Sequence, residues 1–187
     1  MQVRLVVGFL LAATAVGCGG HVADGRRQTT GSVTTASAGA ARTPLPASAK
    51  CPRTPGGRRA KDVGISLGNG PAYPVLGMAE APPAPGGVAP LYKNERQDGV
   101  YLHKTLWAVS PDAPSTVVVR GTSLRTGAPL QFLINDDERV DRLTLRQPDG
   151  AWDYWPMATL LPGPGCYAFH VSGSGVNDEI VFSAALA

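Results

Sequence analysis

Alternation of hydrophobic and polar positions is the clearest pattern in the second half of the chain. In Arg142–Arg146 the two leucines fall on one face, and the arginines and threonine fall on the other. Leu130, Phe132 and Ile134 repeat at the same spacing. A period of two residues is typical of a half-buried strand. Both segments are therefore predicted as strands with one face in the core.

Other segments favour strands through their residue types. Val100–Val109 is rich in apolar and aromatic residues, and Thr116–Arg120 is rich in β-branched residues. Near the C-terminus Tyr167–Val171 alternates, Ser172–Gly175 supplies turn residues, and Ile180–Ala184 resumes the alternation. This order predicts a hairpin at the end of the chain.

Helical patterns are weak, because glycine (23 residues) and proline (17 residues) are frequent and interrupt helices. Turn signals at Pro111-Asp112, Thr126–Pro129 and Pro148–Gly150 separate the predicted strands. These features predict an all-β fold, an immunoglobulin-like antiparallel β-sandwich of about seven strands. A small β-barrel is the alternative.

The N-terminus has the pattern of a bacterial lipoprotein signal. Met1–Arg4 carries the charge, Leu5–Ala13 is apolar, and the run is too short to span a bilayer. Ala15–Cys18 matches a lipobox, with Ala15 where leucine is usual. We therefore predict cleavage before Cys18 and acylation of its thiol, for example by palmitate. Several acyl chains would give a stable anchor. A plain secretory signal is the alternative.

Composition predicts three regions. Residues 1–17 form the signal peptide, and residues 18–50 form a lipidated flexible tether that contains no aromatic residue and too little apolar surface to fold. Residues 51–187 form one β-sandwich domain. Within that domain the proline-rich segment Ala79–Pro90 is interpreted as a long surface loop.

Cysteine usage predicts one disulfide. The chain has three cysteines. With Cys18 acylated, the oxidising environment of an exported protein leaves Cys51 and Cys166 to pair. The alternative, a redox or metal role, lacks both a CxxC motif and zinc-ligand spacing.

Charge argues against a nucleic-acid partner. Without residues 1–17, whose only charge is Arg4, the chain has 16 basic and 14 acidic side chains, a balance of +2. Nucleic-acid binders usually have a strong basic excess. The densest basic cluster is Arg53, Arg58, Arg59 and Lys61. It is interpreted as a solvated segment beside the tether, with contact to anionic headgroups or wall polymers as the alternative.

Residues for nucleophilic catalysis are few. Ser172 and Ser174 sit among glycines, but they fall in the predicted hairpin turn, where a nucleophile elbow is not expected. His103 and His170 fall in predicted strands, where a packed or surface role is expected. They could bind a metal if the fold brought them together. No cofactor and no metal are predicted.

An acidic cluster follows the Leu130–Ile134 strand, and its oxygens could hold calcium. EF-hand spacing is missing, and the favoured interpretation is a solubilising loop. Paired carboxylates for glycoside hydrolysis remain open, because the separation that matters there is spatial. The members of the cluster are Asn135, Asp136, Asp137, Glu138 and Asp141.

The aromatic segment Trp152–Pro156 is the candidate binding surface. In an extended chain Trp152 and Tyr154 project on one side and Trp155 on the other, so one side could form a platform for a sugar or an apolar side chain. The alternative is a role in the core, which Trp155 or Trp107 could fill.

Several short motifs carry a resemblance to a known group of proteins. They are the lipobox at Cys18, Leu67–Pro74, Lys104–Trp107, Pro164–Tyr167 and Ile180–Phe182. In these motifs the chain resembles uncharacterised lipoproteins of high-GC bacteria, in which a Gly-Cys-Trp or Gly-Cys-Tyr motif runs into a short apolar C-terminal strand. The resemblance implies a disulfide-closed, immunoglobulin-like envelope domain and implies no activity.

Two functional hypotheses follow. The preferred one is a non-catalytic binding or accessory module in the bacterial cell envelope, anchored through lipid at Cys18 and facing the periplasm or exterior, with a protein or polysaccharide partner. The other is a small secreted hydrolase or metal-dependent enzyme built on the acidic cluster and the histidines. The sequence leaves the oligomeric state open.

Overall fold

β-Strands make up nearly all the regular structure of this protein. A computed structural model describes residues 44–46, 48–58, 63–77, 87–135, 137–147 and 150–187. Within these ranges the only helix is a short 3-10 helix, Lys93–Glu95. No helix in the described part is long and apolar enough to cross a membrane. The strands are β1 (Gly56–Gly57), β2 (Ser66–Leu67), β3 (Ala72–Val75), β4 (Val88–Leu91), β5 (Arg96–Gln97), β6 (Val100–Val109), β7 (Thr116–Ser123), β8 (Pro129–Ile134), β9 (Glu138–Val140), β10 (Leu143–Arg146), β11 (Asp153–Leu161), β12 (Gly165–Gly173) and β13 (Val176–Leu186).

The long strands follow the alternation in the sequence. In β10, Leu143 and Leu145 are buried, whereas Thr144 and Arg146 are exposed. Strands β12 and β13 pair as the predicted antiparallel hairpin. The all-β prediction is therefore confirmed.

Eleven strands form one sheet that curls into a sandwich-like arrangement of two layers. Layer one contains β3, β5, β6, β8, β9 and β11, and layer two contains β4, β7, β10, β12 and β13. The layers join where β8 leaves β7 at Gly121 and Leu130. A Cβ on Gly121 would lie 2.8 Å from Leu130 Cβ, so glycine permits this close crossing.

Aromatic rings fill the space between the two layers. The Phe169 ring of layer two contacts the Trp107 ring edge-on at 5.1 Å and stacks on Phe182 at 4.6 Å. Phe132 lies 6.1 Å from Phe169, and Tyr167 lies 5.6 Å from Phe182, measured between ring centroids. Offset and edge-on contacts of this kind add to the stabilisation from apolar burial. This ring cluster joins layer one to layer two.

The strand inventory differs from the prediction in two respects. The described residues form thirteen strands where about seven were expected, because the prediction missed the short strands that flank the long ones. Pro90, predicted in a surface loop, lies in β4, which pairs with β13 in parallel. Its neighbours Ala89 and Leu91 are buried in the core, so that end of the loop is fixed by apolar burial.

The segment that leads into β1 lies across the outer face of layer two. We call residues 44–46 and 48–58, which include β1, the N-terminal strap. Its Leu45 N–H donates to Leu124 O (2.7 Å), and Thr54 exchanges two 2.8 Å hydrogen bonds with the backbone of Val181. Arg125 donates to the carbonyl oxygens of Pro46 and Ala49 at 3.1 and 3.4 Å. The last residues of the predicted tether, where described, thus contact the folded domain.

A second, smaller apolar cluster lies beneath the strap, and it includes the disulfide Cys51–Cys166 expected from the sequence. Its buried members are Leu124, Cys166, Ala168 and Val181, with Leu45 and Cys51 packed against them. The bond joins the strap to β12 across a sequence separation of 115 residues.

Removing this disulfide is expected to destabilise the domain. The double variant Cys51→Ala/Cys166→Ala should lose about 2 to 5 kcal/mol of unfolding free energy, because the cross-link restricts the unfolded chain. Urea denaturation of the oxidised wild type and the double variant measures the difference. Reduced wild type should behave like the variant, and equal stability of all three would show that the disulfide does not contribute.

Candidate functional site

Three aromatic side chains gather on the outer face of layer one. Tyr73 of β3 and Tyr154 of β11 are both paired with Ala108 of β6, so the three residues form one row across three strands. The Trp152 ring lies 6.0 Å from the Tyr73 ring at an interplanar angle of 40°. Tyr154 is 39% exposed and Ala108 is fully buried. We call Tyr73, Trp152 and Tyr154 the aromatic cluster.

The loop before β3 fixes the position of the Tyr73 ring. Gly70 has φ +95°, and a Cβ there would collide with the Tyr73 ring. A glycine with positive φ therefore allows the ring to lie against the backbone. The Asn69 N–H donates to Asp178 Oδ2 at 3.0 Å, which ties the loop to β13. The ring is thus held by the turn that precedes its strand.

Trp155 points the other way, as expected for an extended chain. It pairs with Trp107 and packs, partly buried, against the core between the layers. Its Nε1 donates to Asp153 Oδ2 at 2.9 Å. Of the residues predicted as a binding surface, Trp152 and Tyr154 are therefore on the outer face and Trp155 is in the interior. Tyr73 was not among them, because pairing of β3 with β6 has no local sequence signal.

The outer face around the aromatic cluster is almost uncharged. Successive rows of paired residues on β3, β6, β11, β8 and β9 continue the same face, and its charged members are Lys104 and Arg139, which lie in one row. The other members are Val75, Leu102, Leu106, Gln131, Leu133, Pro156, Ala158 and Leu160. A ligand on this face would therefore meet few fixed charges.

The fold separates the two histidines of the catalytic hypothesis. His103 faces the interior from β6 and is 4% exposed. His170 is exposed on the outer face of β12, between the core residues Phe169 and Val171. The two side chains therefore lie on opposite sides of layer two, and the structure does not bring them together.

His103 connects the two edges of the curled sheet. Its Nδ1 lies 3.2 Å from the carbonyl oxygen of Pro90 in β4, and that oxygen can only accept, so Nδ1 carries the hydrogen. Burial lowers the pKa of His103 from 6.5 to about 4, partly offset by this hydrogen bond. Neither His103 Nε2 nor the buried Trp107 Nε1 has a hydrogen-bond partner among the described residues. His103 is therefore neutral at physiological pH.

The acidic residues after β8 do not converge on a metal site. Asp137 and Glu138 are exposed, and Asp141 accepts a 3.0 Å hydrogen bond from Gln131 Nε2. Asp136 lies outside the described residues, and the described residues contain no group of three or more potential metal ligands. Asn135 has φ +50°, typical of a turn position. The turn interpretation accounts for the described members.

The remaining candidates are the two serines, the basic cluster and the predicted acylation site. Both serines were predicted in the hairpin turn, and Ser174 lies there. The prediction is wrong for Ser172, which lies in β12 and donates its hydroxyl hydrogen to Val118 O at 3.4 Å. Arg53 and Arg58 are exposed on the strap, whereas Arg59 and Lys61 are outside the described residues. Cys18, the predicted acylation site, is also outside them.

Comparison with known proteins gives one match. No protein-family model and no curated protein matches this chain. Among solved structures, a crystal structure described as a "Putative Lipoprotein from Bacillus anthracis" is similar at 14% sequence identity and a TM-score of 0.47. The match covers 74% of this chain and 88% of that chain. We draw no conclusion about fold or function from a likeness of this size.

Buried His103 should make stability depend on pH. The folded state excludes a proton that the unfolded chain takes up below about pH 6.5, so stability is present above that pH and is lost as the pH falls towards 4. We expect a loss of about 2 to 3 kcal/mol between pH 7 and pH 4.5 from this residue. Urea denaturation of wild type, His103→Gln and His170→Gln at both pH values tests it.

Each variant differs from wild type at one side chain, so the difference between the losses reports on that histidine. His170→Gln should retain the wild-type loss, and His103→Gln should show a smaller one. An equal loss in all three would contradict burial of a neutral His103.

Proposed function

We propose that this protein is a lipid-anchored domain of the bacterial cell envelope that binds a partner through the aromatic cluster and has no catalytic role. Export, cleavage before Cys18 and acylation of its thiol follow from the lipobox pattern of Ala15–Cys18. The folded domain then faces the periplasm or the exterior. The observation that carries the binding role is the placement of Tyr73 and Tyr154 around Ala108 on one outer face.

The positions of cluster and strap support this role. The Trp107 and Phe169 rings meet between the two layers. Because successive residues of a strand face opposite ways, Ala108 faces outward from layer one and Ala168 faces outward from layer two. Ala168 belongs to the apolar cluster beneath the strap. The aromatic cluster and the strap therefore lie on opposite faces of the domain. A partner can occupy the cluster without displacing the segment that leads to the predicted anchor.

The size of the aromatic cluster favours a sugar over a protein. One row across three strands is about 9.5 Å wide, which gives an area on the order of 100 Å². A stable protein interface needs about 800 Å² on each partner. Aromatic rings on a nearly uncharged face suit the apolar face of a neutral sugar ring. We therefore propose a neutral polysaccharide as the partner.

The enzyme hypothesis has weaker support. Both a hydrolase and a metal-dependent enzyme built on the candidates would need His103, His170 and carboxylates in one cleft. His103 is instead enclosed in the core with a low pKa, while His170 is exposed on an outer face. The binding role has a specific arrangement of residues behind it, and the catalytic role has none.

Loss of the acylated cysteine should release the protein from membranes. In cells, Cys18→Ala is expected to move the protein into the soluble fraction, because no acyl chain then holds it. Fractionation followed by immunoblotting measures this, with Cys51→Ala/Cys166→Ala as a control that retains Cys18. Membrane retention of the Cys18 variant equal to wild type would contradict the anchor.

Truncation of the aromatic cluster should weaken polysaccharide binding. Trp152→Ala and Tyr154→Ala are each expected to reduce affinity for purified wall polysaccharide of the host by about 5- to 30-fold, the range for an aromatic contact of 1 to 2 kcal/mol. Tyr92, 41% exposed and outside the cluster, gives the matched control Tyr92→Ala. Calorimetric titration or sedimentation with insoluble polysaccharide provides the affinities.

Equal affinities for the cluster and control variants would contradict the proposed site. Binding to an envelope protein but not to polysaccharide, with the same dependence on Trp152 and Tyr154, would retain the site and replace the partner.

A further inference from the structure

Basic charge in this chain is concentrated in the sequence that contains the strap. Between Ala41 and Lys61 the sequence has six Lys and Arg residues and no Asp or Glu. The chain's 17 Lys and Arg minus these six leave 11, against 14 Asp and Glu in the rest of the chain. The near-neutral net charge therefore conceals a basic segment beside an otherwise slightly acidic protein.

The fold places part of this segment on the domain surface. Disulfide Cys51–Cys166 and the hydrogen bonds of Leu45 and Thr54 hold the strap on layer two. Lys50 and Arg53 are exposed there, and Arg58 is exposed directly after β1, which pairs with β2. The described members are thus solvated, on a segment that is bound to a folded surface.

The strap is also where the chain enters the domain from the predicted anchor. Residues 19–43 separate Cys18 from the first described residue, Pro44. As a coil, a segment of that length spans about 28 Å root-mean-square. The strap would then be held close to the bilayer, and attraction that is weak for a free protein becomes effective at such a local concentration.

We propose that the strap face docks on the anionic surface of the bilayer in which the protein is anchored, through Lys50, Arg53 and Arg58. A basic residue near an anionic membrane contributes about 1 kcal/mol, and the attraction extends over about one Debye length. The contact turns the strap face towards lipid and the aromatic cluster away from it. This inference rests on the proposed lipid anchor, but the charge contact itself can be tested without it.

Counter-charges on the same side of the domain are few. Glu179 of β13 and Arg120 of β7 are the register neighbours of His170 of β12 on the outer face of layer two. Asp178 is engaged with the Asn69 N–H. Arg125 donates to strap carbonyls and so holds the strap in place. The described strap itself carries Lys50, Arg53 and Arg58 and no acidic residue.

The test uses the full mature chain with Cys18→Ser, which cannot be acylated. Its binding to phosphatidylcholine vesicles with and without phosphatidylglycerol is measured by co-sedimentation at several salt concentrations. The triple variant Lys50→Gln/Arg53→Gln/Arg58→Gln should lose about 100-fold in affinity for the anionic vesicles, about fivefold for each charge. Wild-type binding should weaken as salt increases and be absent with phosphatidylcholine alone.

A matched control separates position from net charge. Lys93, Lys104 and Arg142 are exposed and outside the strap, and their triple Gln variant loses the same charge. It should bind within about twofold of wild type, because its charges are not on the docking face. Arg53→Lys/Arg58→Lys should also bind like wild type, which shows that charge and not folding decides the result.

Equal losses in the two triple variants would overturn the proposal. So would equal or tighter binding to soluble polyphosphate than to anionic vesicles, which would point to a wall polymer. Failure of the anchor is seen separately, as an unmodified N-terminus in the intact mass of the natural protein.

Discussion

Contact between the Trp107 and Phe169 rings is the interaction on which the arrangement of this domain depends. It joins the two layers of one curled sheet, and Phe132, Phe182 and Tyr167 extend the same ring cluster. Because successive residues of a strand face opposite ways, each inward ring fixes an outward neighbour. Trp107 thereby places Ala108 at the centre of the aromatic cluster, and Phe169 places Ala168 beneath the strap.

The two outer faces consequently have different chemistry. The face of layer one has mainly aromatic and aliphatic side chains, with Lys104 and Arg139 in one row as its charges, whereas layer two is covered by a strap with exposed basic residues. The aromatic face suits a neutral ligand, and the basic face suits an anionic surface. Under the proposed acylation of Cys18, the segment before the strap connects the second face to a membrane.

Much of this architecture could be predicted from sequence because it follows from local alternation. Strand β6 has the predicted bounds, β10 and the β12–β13 hairpin follow their leucine and aromatic patterns, and the opposite directions of Tyr154 and Trp155 follow from an extended backbone. The disulfide could be predicted because few cysteines were available.

Features set by long-range pairing could not be predicted. β4 contains Pro90 and pairs in parallel with the last strand, so its pattern resembles that of a loop. Tyr73 joins Trp152 and Tyr154 only because β3 and β11 lie on either side of β6. The low pKa of His103 depends on its enclosure beside Pro90, which the sequence of β6 does not indicate.

Hydrogen–deuterium exchange of the natural protein on anionic vesicles tests most directly whether the domain has one face for the membrane and one for a partner. The account predicts that vesicles slow exchange in peptides from the strap and leave peptides containing Tyr73, Ala108 and Tyr154 unchanged. Slower exchange in the peptides of the aromatic cluster, with unchanged exchange in those of the strap, would contradict it.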